Sequence, residues 1–206
     1  MADLTKAQII KVTLEIIGQY GADKLTIRDL AAKAGVNIGA VNYHFGSKEN
    51  LVSQAVAFFI TETQEAFRIL EDLVLSPEER LLRFMESYMA HAIEYPGVIR
   101  TLMQELMAEG SLAPRLAVPL KQNAESLKAT IRQLNGTEDE RLLSAEVVQI
   151  MSSLSYPILI LPRLKEIYGL EWNTAEEIRR FASLLVKQLS DSAKPKSASG
   201  KRKSAK

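Results

Sequence analysis

The chain contains no cysteine. Disulfide staples, thiolate metal sites, cysteine nucleophiles and thiol redox switches are therefore excluded. Histidine is almost as scarce. Only His44 and His91 occur in 206 residues, too little material for a histidine-built metal site or catalytic triad. No uninterrupted apolar run approaches the roughly 18–20 residues that span a bilayer. The N-terminus, Met1-Ala2-Asp3, has an acid and no signal-peptide apolar stretch, so a cytoplasmic protein without a membrane partner is expected. A glycine-rich phosphate loop is missing as well, and no stretch alternates β-branched with polar residues as a half-buried strand does.

The rest of the composition is ordinary for a globular chain, with 47% hydrophobic and 25% charged residues, enough to bury a core without staples. The length implies one domain or two small ones. A formal net charge of +1 conceals an uneven distribution. Residues 1–50 hold six basic and five acidic residues; 51–190 hold fourteen basic and nineteen acidic ones; 191–206 hold six basic residues against Asp191 alone. Positive ends around a negative middle suit a polyanion contacted by the ends. The last segment serves equally well as a solubilising tail. It is rich in Lys, Ser and Ala with no large apolar side chain, so residues 191–206 are expected to be disordered.

Helical signals recur along the remainder, and the expected fold is all-α with about nine helices. Thr5 is placed to cap a first helix closed by Gly21, and Thr26 a second ended by Gly35. A third runs from about Ile38 to Phe45 and stops at Gly46. Ser47 caps a long fourth helix reaching about Asp72. Further starts of the capping-box kind lie at Ser76-Pro77-Glu78-Glu79, Thr137-Glu138-Asp139-Glu140 and Thr174-Ala175-Glu176-Glu177. Pro157 and Pro162 are expected to end or kink the penultimate helix.

Residues 26–48, TIRDLAAKAGVNIGAVNYHFGSK, are the informative stretch. Two short helices joined by Gly35-Val36-Asn37 form a helix-turn-helix, about 26–45. Leu30, Ala31 and Ala34 give the first helix a small apolar side for a close crossing, and Gly35 permits positive φ at the turn. The second helix presents Asn37, Ile38, Gly39, Ala40, Asn42 and Tyr43, mostly small or hydrogen-bonding groups suited to the major groove of double-stranded DNA.

With Thr26, Ile27, Leu30, Ala31, Ala34, Gly35 and Val36, then Tyr43-His44-Phe45, then Lys48, Glu49 and Leu51, the sequence resembles the tetracycline-repressor (TetR) family of bacterial transcriptional regulators. The resemblance is close over about the first 60 residues and lies beyond them in length and helical organisation. It implies that Thr26 abuts a DNA phosphate at a helix N-terminus, that Arg28 reaches a base edge or phosphate, and that residues Asn37 to Asn42 lie in the recognition segment. It also implies that Tyr43, His44 and Lys48 touch the backbone. Asn42 stands where the family often has a second aromatic, and it can pair with adenine or contact phosphate.

The resemblance further implies a division into residues 1–50, which bind an operator, and 51–190, which bind a small effector and dimerise. Candidates for lining the effector site are Phe84, Met85, Tyr88, Met89, His91, Met103, Met107 and Met151. Helical spacing groups Met85 with Tyr88 and Met89, and Met103 with Met107, although any single one is more readily an ordinary core residue. A largely apolar effector is expected, and no cofactor or metal. Val147, Val148, Ile150, Met151 and Leu154, with Ile178, Phe181, Leu184, Leu185 and Leu189, make the last two helices the expected contact of a homodimer. Two other classes compete with this ligand-responsive repressor. An enzyme lacks an evident nucleophile, because the paired carboxylates fall at helix starts where the helix dipole accounts for them. A helical protein-interaction adaptor leaves Tyr43-His44-Phe45 and Lys48 unexplained.

Overall fold

The computed structural model describes residues 2–172 and 174–192. Among them every regular element is helical. Eleven α-helices run in chain order: α1 (Ala2–Tyr20), α2 (Ile27–Ala34), α3 (Ile38–Phe45), α4 (Lys48–Glu62), α5 (Gln64–Arg68), α6 (Pro77–Glu94), α7 (Pro96–Met107), α8 (Pro114–Asn135), α9 (Glu140–Leu159), α10 (Leu164–Tyr168) and α11 (Ala175–Ser192). Nine of these have eight residues or more, and short 3-10 turns join several of them. The tail lies, from residue 193 onward, outside the described residues, as does Asn173 next to the last helix start.

Three expected boundaries shift. The first helix already begins at Ala2, ahead of Thr5. The long fourth helix does not reach Asp72 but breaks at Thr63. There the Thr61 hydroxyl donates to the Ala57 carbonyl at 3.0 Å and the Thr63 hydroxyl to Ile60 at 2.9 Å. Threonine hydroxyls that bond back to the preceding turn bend or interrupt a helix. The start expected at Thr137 falls at Asp139, whose carboxylate accepts from the Arg141 and Leu142 N–H groups at 2.9 and 3.2 Å. A carboxylate two residues nearer the helix, able to accept two N–H groups, outcompetes Thr137, which instead accepts from Asp139 N–H in the approach turn. At Thr174 the capping box forms as expected, its hydroxyl accepting from Glu177 N–H while the Glu177 carboxylate accepts from Thr174 N–H. Pro157 lies inside α9, two residues before its end, and Pro162 lies in the turn that follows.

The core is continuous from α1 to α11. In the N-terminal part α1 packs on α2 and α4, with Ile9, Ile17, Leu30, Val41, Phe45 and Leu51 buried. Beyond it α4 continues against α7 and α8, so one helix belongs to both ends of the molecule. The Arg115 guanidinium donates to the buried Ser53 hydroxyl at 3.0 Å and pins α8 to α4. Buried Arg80 donates to the Leu70 carbonyl at 2.9 Å and closes the segment after α5. α9 is the one helix among the described residues long and apolar enough to cross a membrane, with a mean hydropathy of 1.3. It contains Arg141 and Glu146, however, and packs against α6, α7 and α8 as a core helix of the bundle.

α7 meets α1 backbone to backbone. A methyl group placed on Gly97 would sit 1.8 Å from the Ile17 carbonyl oxygen. Beside it the Tyr95 ring covers Gly18, where an added methyl would stand 3.0 Å from the ring. Only glycine at 97 permits this backbone contact. Gly97→Ala is expected to lower stability by about 2 kcal/mol or more, as overpacking does. Urea denaturation of the two proteins measures it.

Candidate nucleic-acid interface

The helix-turn-helix is built by local chemistry. Thr26 is extended at the start of α2, and its hydroxyl oxygen accepts from Asp29 N–H at 3.1 Å. The same hydroxyl donates to the Asp29 carboxylate at 2.6 Å. Gly35, at φ 66°, ends α2, and the next N–H, from Val36, returns to the Ala31 carbonyl at 3.0 Å. This is the six-residue closure that a left-handed glycine makes possible. From α1 the Gln8 amide donates to the Ala34 carbonyl at 2.9 Å, tying the end of α2 to the first helix.

Asn37 begins α3, its side-chain carbonyl accepting from Ala40 N–H at 2.7 Å. A methyl group at Gly39 would stand 3.1 Å from that oxygen, so glycine leaves room for the cap. Gly46 closes α3, and Ser47 caps α4 by accepting from Asn50 N–H at 3.1 Å. The Asn50 amide donates back to the Phe45 carbonyl at 2.7 Å. These bonds fix the angle at which α4 leaves α3. Glu49, in the first turn of α4, is held below the usual carboxylate range by its own backbone N–H and then by the Ser47 hydroxyl.

None of the ten residues expected to meet DNA is buried. Thr26, Arg28, Asn37, Ile38, Gly39, Asn42 and Tyr43 are exposed, and Ala40, His44 and Lys48 half-buried. On α3 the exposed set Ile38, Gly39, Asn42 and Tyr43 follows helical spacing, opposite buried Val41 and Phe45. Tyr43 is 86% exposed, an unusual position for a large aromatic with no partner surface. Its ring meets His44 edge-on at 5.3 Å. Arg28 has no ion-pair partner among the described residues. The geometry divides the set in one respect: Thr26 and Asn37 spend their oxygens as helix caps, whereas Arg28, Asn42 and Tyr43 are free to reach a ligand.

A second site lies in the C-terminal bundle. A partly open cavity of about 230 Å³ is lined by residues of α4–α9. Of the eight candidates for an effector site, Tyr88, Met103 and Met151 line it. His91 lines a separate polar cleft, with Lys11, Glu15 and Tyr95, beside α1. Phe84, Met85 and Met89 are wholly buried outside both linings; Phe84, for one, packs on Phe67 at 4.7 Å. Met107, at the end of α7, is exposed. Sequence reasoning missed Phe59, Phe67 and Asn123 in the cavity wall. A signal for Asn123 exists, because it occupies a core position in the series Leu116, Leu120, Asn123, Leu127 and Ile131 of α8.

Two short helices crossing at a glycine turn, the second turned outward with exposed amide and aromatic groups, define a helix-turn-helix unit. Residues 9–55 match the family model described as bacterial regulatory proteins, tetR family. Over this N-terminal unit the chain is similar to that family. It is 26% identical over 131 residues to the HTH-type transcriptional repressor KstR2 of Mycobacterium tuberculosis, a match covering 63% of this chain and 64% of the repressor. The chain thus spans just under two thirds of that relative. It is 47% identical over 60 residues to the HTH-type transcriptional dual regulator CecR of Shigella flexneri, covering 28% of this chain and 26% of CecR.

Solved structures share the whole fold. The transcriptional regulator FadR of Bacillus subtilis, solved with stearoyl-CoA, aligns over 89% of this chain and 97% of its own, with TM-score 0.68 and 14% identity. PfmR of Thermus thermophilus, a TetR family transcriptional regulator, aligns over 87% of this chain and 97% of its own, with TM-score 0.64 and 23% identity. The family match covers the turn, both its helices and the start of α4.

The caps and the exposed face separate experimentally. Asn37→Ala is expected to cost about 1 kcal/mol of stability, the usual worth of an N-cap. Tyr43→Ala, on an exposed surface, is expected to stay within about 0.5 kcal/mol of the parent. Urea melts of both variants check the pair.

Proposed function

We propose that the chain is a DNA-binding transcriptional repressor that sits as a homodimer on a palindromic operator and is released by a small, largely apolar effector. The observation that carries the reading is the outward face of α3, where Ile38, Gly39, Asn42 and Tyr43 stand exposed on a helix whose other side is locked into the core. Small groups at Gly39 and Ala40 allow the helix backbone to approach base edges, and Asn42 offers an amide that pairs with adenine. Arg28, Tyr43, His44 and Lys48 flank that face as backbone contacts. In this reading residues 1–50 bind the operator and 51–190 hold the effector and the dimer contact. The protein acts by binding rather than by catalysis, and works in the cytoplasm, where its operator is.

The dimer reading rests on apolar side chains left in solvent by the last long helices. Val148 on α9 is 65% exposed and Leu184 on α11 is 53% exposed. Tyr156 adds an exposed ring to the α9 face, its hydroxyl 3.1 Å from that of Tyr168. A two-fold contact brings these patches together and sets the distance between two α3 helices. Val148→Glu combined with Leu184→Glu is expected to convert the dimer to monomer in sedimentation equilibrium, with helical content unchanged.

Release follows from the path of α4. Its first residue, Lys48, borders α3, while Phe59 and Ile60 near its end line the 230 Å³ cavity. Phe59 also meets Tyr95 edge-on at 6.3 Å, and Tyr95 covers Gly18 of α1. A ligand that prefers one position of Phe59 therefore biases both helices that hold the helix-turn-helix. Only a difference in its affinity for the two conformers drives the shift. Lys48→Ala is expected to weaken binding to duplex DNA and to reduce the slope of log K against log salt by about one unit. Tyr43→Phe is expected to weaken it less than Tyr43→Ala. Fluorescence anisotropy across a salt series reads both, and unchanged affinity and slope in Lys48→Ala would remove that contact from the reading.

A further inference from the structure

Among the described residues, no charged side chain lies in the wall of the cavity of about 230 Å³. Most of the lining is aliphatic, aromatic or methionine. The polar exceptions are Thr63, Tyr88, Asn123, Ser152 and Ser155. Three of the five are already engaged. Thr63 donates to the Ile60 carbonyl, and the Tyr88 phenol is hydrogen-bonded by Ser155 while burial pushes its ionisation up, so it stays neutral.

Asn123 differs. It is only 6% exposed, and its side-chain carbonyl accepts from the Gln64 amide at 2.8 Å. That bond orients the group and leaves its NH2 with two N–H donors. Among the described residues neither has an acceptor. Asn123 borders both this cavity and an outer polar groove, and on the cavity side an N–H without an acceptor marks the place for an oxygen atom.

The cations nearest the cavity line other spaces: Lys11 the polar cleft beside α1, Lys121 the outer groove that Asn123 and Gln64 also border, and Arg68 both. A carboxylate drawn into the cavity would be buried with no counter-ion. An ammonium group would meet no carboxylate.

We infer that this cavity takes an uncharged, mainly aliphatic molecule bearing one carbonyl oxygen, which accepts from the Asn123 amide. The phosphates of a coenzyme A thioester would meet no cation in this wall. The inference rests on the reading of this cavity as the effector site and specifies the effector's chemistry. Asn123, oriented by Gln64, determines specificity.

Calorimetric titration of the full chain with 2-octanone, octanoate and octylammonium tests it. At pH 7 the ketone is expected to bind saturably, one per chain, and both ions at least tenfold more weakly. Octanoate binding is expected to strengthen between pH 7 and pH 5 as the neutral acid becomes populated. Asn123→Leu is expected to weaken the ketone at least tenfold while the apolar wall remains. If that variant does not fold, Met151→Trp, at a half-buried lining position, is expected to abolish ketone binding by filling the space. Octanoate binding as tightly as the ketone at pH 7, full ketone affinity in Asn123→Leu, or no ketone binding up to its solubility each overturns the inference. Duplex-DNA affinity is read separately. Ketone binding with no effect on the duplex supports the ligand chemistry and overturns effector release.

Discussion

The backbone contact between Gly97 and Ile17 is the constraint on which the arrangement of the molecule depends. With only 1.8 Å between a would-be methyl and a carbonyl oxygen, α7 cannot slide along α1 without opening the core. The junction fixes Tyr95, and Tyr95 in turn packs on Gly18 and Phe59. α1 carries α2 through Leu30 and Ala31 and through the Gln8 bond to the Ala34 carbonyl. The orientation of the helix-turn-helix relative to the bundle is thus set by a contact that involves neither the recognition face nor the cavity.

α4 makes the second connection. It starts at the Ser47 cap, fixed to α3 by the Asn50 bond to Phe45, and ends at the threonine-induced break at Thr63. A helix of 15 residues spans about 22 Å, and interrupting it at Thr63 places its end at the cavity wall. Had the helix continued to Asp72, Phe67 and Gln64 would leave the positions from which they line the cavity and orient Asn123. The break is therefore part of the site. Coupling in this arrangement is carried by a packed element that two sites touch, and the proposal needs nothing beyond two positions of that element.

How much could be read from the sequence differs sharply between the two sites. The helix-turn-helix is written in short-range chemistry. Thr26, Asn37 and Ser47 cap, Gly35 and Gly46 stop, and the small residues of α2 set the crossing, all within a few positions of where they act. Exposure of Asn42 and Tyr43 follows from the 3.6-residue period once Val41 and Phe45 are placed inside. The cavity is different because α6 is surrounded by α5, α7, α8, α9 and α11. Phe84, Met85, Tyr88 and Met89 are all large and all buried, and spacing cannot say which side of a surrounded helix faces empty space. Tyr88 does; the other three face neighbours. Phe59 and Phe67 were hidden by the expectation of an unbroken helix. Asn123 was legible in principle as a polar residue on a core stripe, but its Gln64 partner lies 59 positions away. Met107 shows the same limit, since its spacing with Met103 holds but the helix ends and leaves it in solvent.

The central claim is that the outward face of α3 reads a specific DNA sequence. The direct measurement compares the affinity of the full chain for duplex from upstream of its own gene with that for unrelated duplex of equal length, at matched salt. Binding to the first that is tighter by about a thousandfold, as for specific protein–DNA complexes, and that falls steeply as salt rises is the predicted result. Equal and weak binding to both duplexes would contradict it.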